Sequence, residues 1–177
     1  FNTSSSMGRL TLNVLLSFAQ FEREVTAERI RDKIAASKKK GLWMGGMAPI
    51  GYDPHPDPNR RELVVNPEEA QAVRRVFKLY LAHSCLNATA RAAEGEGIRS
   101  KRRVFASGRL QGGARLSRGQ IHQILTNPIY RGLIKHKEKT WPGQHEAIIE
   151  EVLWEEVQAR LMAASTRRRG TLTNTPQ

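Results

Sequence analysis

The residues whose types and spacing could do chemistry lie between positions 101 and 131, and the chemistry they suit is recognition of a polyanion. Over Ser117–Thr126 the apolar residues Ile121, Ile124 and Leu125 recur at helical spacing, leaving Arg118, Gln120, His122 and Gln123 on the exposed face. Arg and Gln offer paired hydrogen-bonding atoms that match the edges of guanine and adenine. Upstream, Lys101, Arg102, Arg103, Arg109 and Arg115 load a Gly-rich stretch, and Arg131 follows downstream. Residues 101–137 hold nine Lys or Arg and no Asp or Glu, in a chain whose formal net charge is +12. Residues 46–100 are neutral, and 138–166 carry six acids against two bases. Such clustering is the footprint of contact with nucleic acid. A membrane surface fits less well, because the basic stretch lacks an amphipathic face with Trp or Phe anchors.

A second cluster is Lys38, Lys39 and Lys40, followed by Gly41, Leu42 and Trp43. A basic helix end entering a Gly-rich connector can follow a DNA backbone or enter the minor groove, where cations are favoured. The same lysines also complement a helix dipole, so both readings stand at this point. Arg29 lies upstream on the same basic half. No catalytic constellation is visible. His55, His83, His122, His136 and His145 lack metal-ligand spacing, and Gly45-Gly46 lacks the rest of a phosphate loop. Ser4 to Ser6 read as helix-capping residues. No metal, cofactor or small-molecule ligand is expected.

These residues need elements to hold them. Met7 to Lys40 carries no Pro and no Gly after Gly8, with apolar residues at Leu10, Val14, Leu15, Phe18 and Val25. It reads as one helix of roughly 50 Å. Its apolar first half needs a partner, such as a missing domain or a second copy of itself. Gly41–Gly51 reads as an extended connector. Tyr52–Asn66 reads as a hairpin, and Asn66-Pro67-Glu68-Glu69 as the start of a helix running to His83. Asn87–Glu94 is a short helix, and Lys101–Leu116 a long basic loop. Ser117 caps the helix to Thr126. Tyr130–Lys137 and His145–Ile149 read as strands around a turn at Pro142-Gly143. Glu150–Ala164 is a last helix, and 166–177 a polar tail. A helix pair followed by a small β-wing is an arrangement that reads DNA.

Composition bounds the rest. At 39% hydrophobic residues the chain can build a core, and no apolar run approaches the roughly 20 residues of a membrane span. Cys85 stands alone, which excludes an internal disulfide within this chain and suits a reducing cytoplasm. It reads as a small buried hydrophobe. The first residue is Phe and no signal peptide is visible, so a fragment of a larger protein is expected.

Four stretches resemble the large serine recombinases of phages and transposons. Phe1–Lys33 resembles the end of their catalytic domain, with its dimer-forming helix, and Glu28-Arg29 resembles the Glu-Arg pair near the DNA side. Trp43–Asp53 (WMGGMAPIGYD) resembles the linker and first strand of the recombinase domain. Glu62–Tyr80 resembles the following hairpin and helix. Ser117–Gly132 with His145–Leu161 resembles the DNA-reading helix, wing and last helix. The resemblance implies an α+β chain in which a long N-terminal helix leads into a mainly helical, winged-helix-like domain with small β-hairpins. It divides as 1–40 (helix of the catalytic domain), 41–51 (linker), 52–164 (DNA-binding domain) and 165–177 (basic tail). It also implies a bacterial or phage-encoded cytoplasmic protein that binds double-stranded DNA and its own copy. Recombination would run through a phosphoserine whose nucleophile lies outside this chain. The alternative from a different class is a non-enzymatic transcriptional regulator with a helical dimer arm.

Overall fold

A computed structural model describes residues 6–57 and 59–170, the last six of these by backbone alone. The chain is α+β. Helix α1 (Ser6–Lys39) carries no buried residue along its 34 positions. Ser4 and Ser5, two of the three expected capping residues, lie outside the described residues, and Ser6 is already in the first turn. The helix stops in a Schellman turn. The Leu42 N–H donates to the Ser37 carbonyl at 3.2 Å, and the Gly41 N–H to the Lys38 carbonyl at 3.0 Å. Gly41 takes a φ of +75, which favours glycine.

The segment after Gly41 is not a free connector. Gly41, Ala48 and Gly51 are buried, and Trp43 and Ile50 pack on the core. Backbone and side-chain bonds supply the reason: the Trp43 N–H donates to Arg61 at 2.6 Å, and the Tyr130 hydroxyl donates to the Ile50 carbonyl at 3.0 Å. Strands β1 (Tyr52–Pro54) and β2 (Leu63–Val65) then pair antiparallel, Tyr52 opposite Val65. Helix α2 (Pro67–His83) starts as expected, with the Asn66 side chain accepting from the Glu69 N–H at 3.3 Å. Val73, Val76, Phe77 and Tyr80 form its buried face. Helix α3 (Leu86–Gly95) follows. Cys85, just before it, is exposed and not buried, because it sits at the helix N-cap, outside the buried face formed by Thr89 and Ala93.

The stretch read as a loop from Lys101 to Leu116 is a β-hairpin. Strands β3 (Arg103–Val104) and β4 (Leu110–Gln111) pair antiparallel, and a bridge joins Arg99 to Arg115 at the root. Gly112 is required there: a Cβ would lie 1.9 Å from the Lys101 carbonyl oxygen, and its φ is +91. Helix α4 (Arg118–Thr126) runs into a 3-10 turn at Pro128–Arg131. The wing is β5 (Leu133–His136) paired with β6 (Lys139–Pro142). Its turn is Lys137-Glu138, not Pro142-Gly143, and it is made possible by a φ of +54 at Lys137. Pro142 instead ends β6, after which the Gly143 N–H donates to the Gly132 carbonyl at 2.7 Å. Residues 145–149 form no strand; they wrap inward, burying His145, Ile148 and Ile149. Helix α5 (Glu151–Gly170) is longer than expected, taking in the first part of the supposed tail, while 171–177 lie outside the described residues.

Aromatic residues join the pieces. Tyr52 and Tyr130 stack at 6.0 Å, and Phe77 meets Tyr130 and Trp154 edge-on or tilted. The Tyr52 hydroxyl donates to the Glu146 carbonyl at 2.7 Å. Burial pushes both tyrosine hydroxyls well above their ordinary pKa range. No described helix is long and apolar enough to cross a membrane.

Candidate nucleic-acid interface

Helix α4 is held by its caps and by its buried side. The Ser117 side chain accepts from the Gln120 N–H at 3.3 Å, while the Ser117 N–H donates to Gln120 Oε1 at 2.8 Å. This reciprocal capping box satisfies donors at the helix start. Ile121, Ile124 and Leu125 are buried, and the Gln158 amide of α5 donates to the Leu125 carbonyl at 2.7 Å near the other end. Arg118, His122 and Gln123 remain exposed.

The floor of the site is a groove of about 780 Å³ beside this helix. Its walls come from five segments: Lys38 of α1, Trp43 after the helix stop, Arg103 of β3, Gln120 and Gln123 of α4, and Lys135 of β5. The fold therefore brings together the end of α1, helix α4, the basic hairpin and the wing, which are far apart in the chain. Lys39 lies 5.9 Å over the Trp141 ring, tying the helix end to β6. On the other side, the Gln144 amide donates to the Lys40 carbonyl at 3.1 Å.

Not every expected contact residue is available. Lys101 is 10% exposed and donates to Asp53 at 2.7 Å and to Glu69 at 2.6 Å. Its role is structural, because a cation so enclosed has its single charge matched by two carboxylates and no room for a phosphate. The same bond holds the Asp53 carboxyl below its ordinary range. The Asn66 amide adds a hydrogen bond to Asp53 at 2.8 Å, and the Gly51 N–H one to Glu69 at 2.9 Å. Gln120 cannot present both ends of its amide to adenine, since its oxygen is held in the capping box. The sequence pattern Ser-x-x-Gln carried that signal. Arg131 is half-buried and ion-paired with Glu151. Arg103 donates to the Ala48 carbonyl while still lining the groove.

The other positions are open to solvent. Arg29, Lys39, Lys40, Arg102, Arg109, Arg115 and Arg118 are exposed, and Lys38 is half-buried. Arg115 sits 4.0 Å from Glu94, which Arg99 also approaches at 3.9 Å. Sequence reasoning missed the part played by His145. It is buried, its Nε2 lies 2.7 Å from the Ile129 carbonyl, and its ring stands edge-on to Tyr52 at 5.3 Å. It therefore supports the turn that ends the reader helix. Burial holds its pKa below the ordinary histidine value, against the pull of that carbonyl.

A family model described as Recombinase matches residues 67–163. The chain belongs to the Recombinase family. A second model, described as the Resolvase N-terminal domain, matches residues 1–43 of this recombinase chain. Together the two models place it among the large serine recombinases. Two solved structures share its fold at a TM-score of 0.60. One is described as a crystal structure of an LSR–DNA complex and is 19% identical, with 76% of this chain and 39% of that chain covered. The other concerns sequence requirements of the Listeria innocua prophage attP site and is 20% identical, with 76% and 51% covered. The recombinase chain thus spans about two-fifths to one-half of the length of these structures. No curated protein matches it in sequence. The Resolvase match ends at residue 43, close to the helix stop at Gly41, and the Recombinase match begins at residue 67.

Proposed function

We propose that this chain is the DNA-gripping portion of a site-specific serine recombinase. The observation that carries the reading is the groove, where cationic and amide side chains from α1, the hairpin, α4 and the wing converge. In this reading α4 lies in the major groove with Arg118 and Gln123 toward base edges, His122 beside them, and Gln120 contributing only its amide donors. Lys38, Lys39, Lys40 and Trp43 follow the backbone where the helix enters the domain. Arg29 continues that path. Arg102, Arg103, Arg109 and Arg115 meet phosphates from the hairpin side. The chemistry, attack of a serine hydroxyl on a phosphodiester to form a phosphoserine link followed by strand exchange and rejoining, needs no metal or other cofactor. We assign its nucleophile to residues outside this chain. The chain alone therefore binds duplex and does not cut it.

The apolar side of α1 supports self-association. Leu10, Val14, Leu15, Phe18 and Phe21 are all more than half exposed, so the helix has an apolar face that nothing in the described chain covers. A second copy of the same helix is the occupant this reading assigns. The corresponding division is a dimer arm at 1–40, a junction at 41–51, a DNA-binding domain at 52–164 and a basic end at 165–177, in a bacterial or phage-encoded cytoplasmic protein. Titrating the chain against duplex DNA at several salt concentrations tests the central claim. Neutralising several phosphates releases counterions, so the logarithm of affinity should fall steeply and linearly with the logarithm of salt. Affinity that does not change between low and moderate salt would rule the reading out.

A further inference from the structure

The hairpin β3–β4 has two faces, and the groove accounts for one. Alternation along the strands puts Arg103 and Gln111 together, and both line the groove. Val104 and Leu110 pair on the opposite face, where they are 70% and 57% exposed. Phe105, at the start of the turn, is 40% exposed. A two-stranded hairpin is marginally stable by itself, so large apolar groups left in water at its tip do not serve its own folding. Their surroundings are cationic. Arg102 precedes them, Arg109 closes the turn, both are exposed, and no acid occurs between Glu96 and Glu138.

The arm that carries this tip is firmly rooted. Lys101 binds Asp53 and Glu69, and the Ser100 N–H donates to the Ala114 carbonyl at 2.9 Å. The Gly113 N–H returns a bond to the Ser100 carbonyl at 2.9 Å. A fixed base with an apolar end ringed by arginines matches a ligand that is anionic outside and apolar within. Duplex DNA has that layout: phosphates flank a stack of apolar base faces. A protein partner would have to surround an apolar pocket with acids to match it.

Resting on the duplex-binding reading above, we propose that Val104, Phe105 and Leu110 form a wedge that enters a DNA groove and partly unstacks one base step. Arg102 and Arg109 hold the phosphates on either side. Apolar side chains inserted between base steps kink a duplex by on the order of 20–90°. The bend folds the flanking DNA toward the groove beside α4, and the added contacts offset the cost of deformation.

The test uses the full 177-residue chain and a duplex of about 30 base pairs selected by it from a randomised pool, long enough to show a bend of the size above. The duplex carries a fluorescent donor and acceptor at its ends, and a second version carries 2-aminopurine at successive steps. The wild-type chain should shorten the end-to-end distance and brighten 2-aminopurine at one step. Phe105→Ala, which removes an exposed side chain and no cation, should keep the salt slope but lose both signals, and Phe105→Trp should restore them. Arg102→Ala and Arg109→Ala should each lower the salt slope by about one. Tight binding by the wild type without bending or unstacking would overturn the wedge while leaving the duplex-binding reading intact. Failure to bind any duplex would overturn both. If Val104→Ser with Leu110→Ser abolishes cooperative loading of two chains but leaves the bend unchanged, the patch is a protein contact and the wedge is wrong.

Discussion

Helix α1 buries no residue over 34 positions, whereas α2 buries six over 17. Both helices carry an apolar face. Among the described residues only α2 finds cover for that face, from α3, α4 and α5. The difference separates helices that cover one another from an arm whose apolar face is left exposed among the described residues. A solvated helix of this kind draws little stability from propensity alone, so cover for its apolar face would decide whether its first half stays helical.

The largest expected effect comes from breaking the domain. Phe77 is fully buried against Tyr130 and Trp154. Phe77→Ala should cost about 3–5 kcal/mol in urea unfolding, by lost burial and the cavity left behind. Next comes the hairpin root. Lys101→Met leaves Asp53 and Glu69 without their cation, and should cost about 1–3 kcal/mol, since both carboxylates are partly solvated. Amide exchange in 99–115 should then speed up while α2 stays protected. Unchanged exchange there would show that the hairpin holds itself.

Smaller effects should divide the reader helix from the arm. On DNA, Arg118→Ala or Gln123→Ala should cost about 1–3 kcal/mol for the preferred site and relax the preference. Lys39→Ala should weaken all sequences alike and lower the salt slope by about one. Identical behaviour of the two kinds of variant would remove the assignment of α4 as reader. The smallest effect is expected on the arm. Leu15→Ala should change unfolding of the domain by within about 0.5 kcal/mol. In sedimentation, however, it should shift the chain toward monomer. A large loss of domain stability would end the contrast drawn between α1 and α2.

Acid should act on the domain in two windows. His145 is neutral in the fold and its pKa is lowered by burial, so the unfolded chain binds the extra proton. Stability is therefore full above the ordinary histidine value of about 6.5 and declines as pH falls below it. Asp53 is held down by Lys101, so its contribution persists above the ordinary carboxylate range and is lost when pH falls below about 4. Thermal melts across pH should show both steps, and His145→Gln should erase the upper one. A melting temperature that stays flat from pH 7 to 5 would count against the role of His145.

Local signals were legible where one residue type dictates one geometry. Asn66-Pro67 starts α2, Ser117 caps α4, and Gly41 ends α1, each as the residues imply. The buried face of α4 followed from Ile121, Ile124 and Leu125. The hairpin at 103–111 is hard to read from the sequence because each of its strands is only two residues long, too short for alternation to show as a pattern. The wing turn was placed at Pro142-Gly143 since those residues favour turns. Tertiary pairing instead put the turn at Lys137, a residue with no intrinsic preference for positive φ. The pairing of Lys101 with Asp53 and Glu69 crosses 48 and 32 positions. No local pattern announces a contact of that range, and so a structural lysine read as a DNA ligand.

Gly41 has a mechanical consequence. A Cβ there would lie 2.3 Å from the Pro142 carbonyl oxygen, so the helix stop and the end of the wing touch backbone to backbone. At Gly41 itself there is no side chain to compress or reorient, and α1 projects from that contact. With a lever of roughly 50 Å, a tilt of about 5° at the joint moves the far tip by about 4 Å, the rise of about three helical residues. The aim of the arm is set by the absence of a single methyl group.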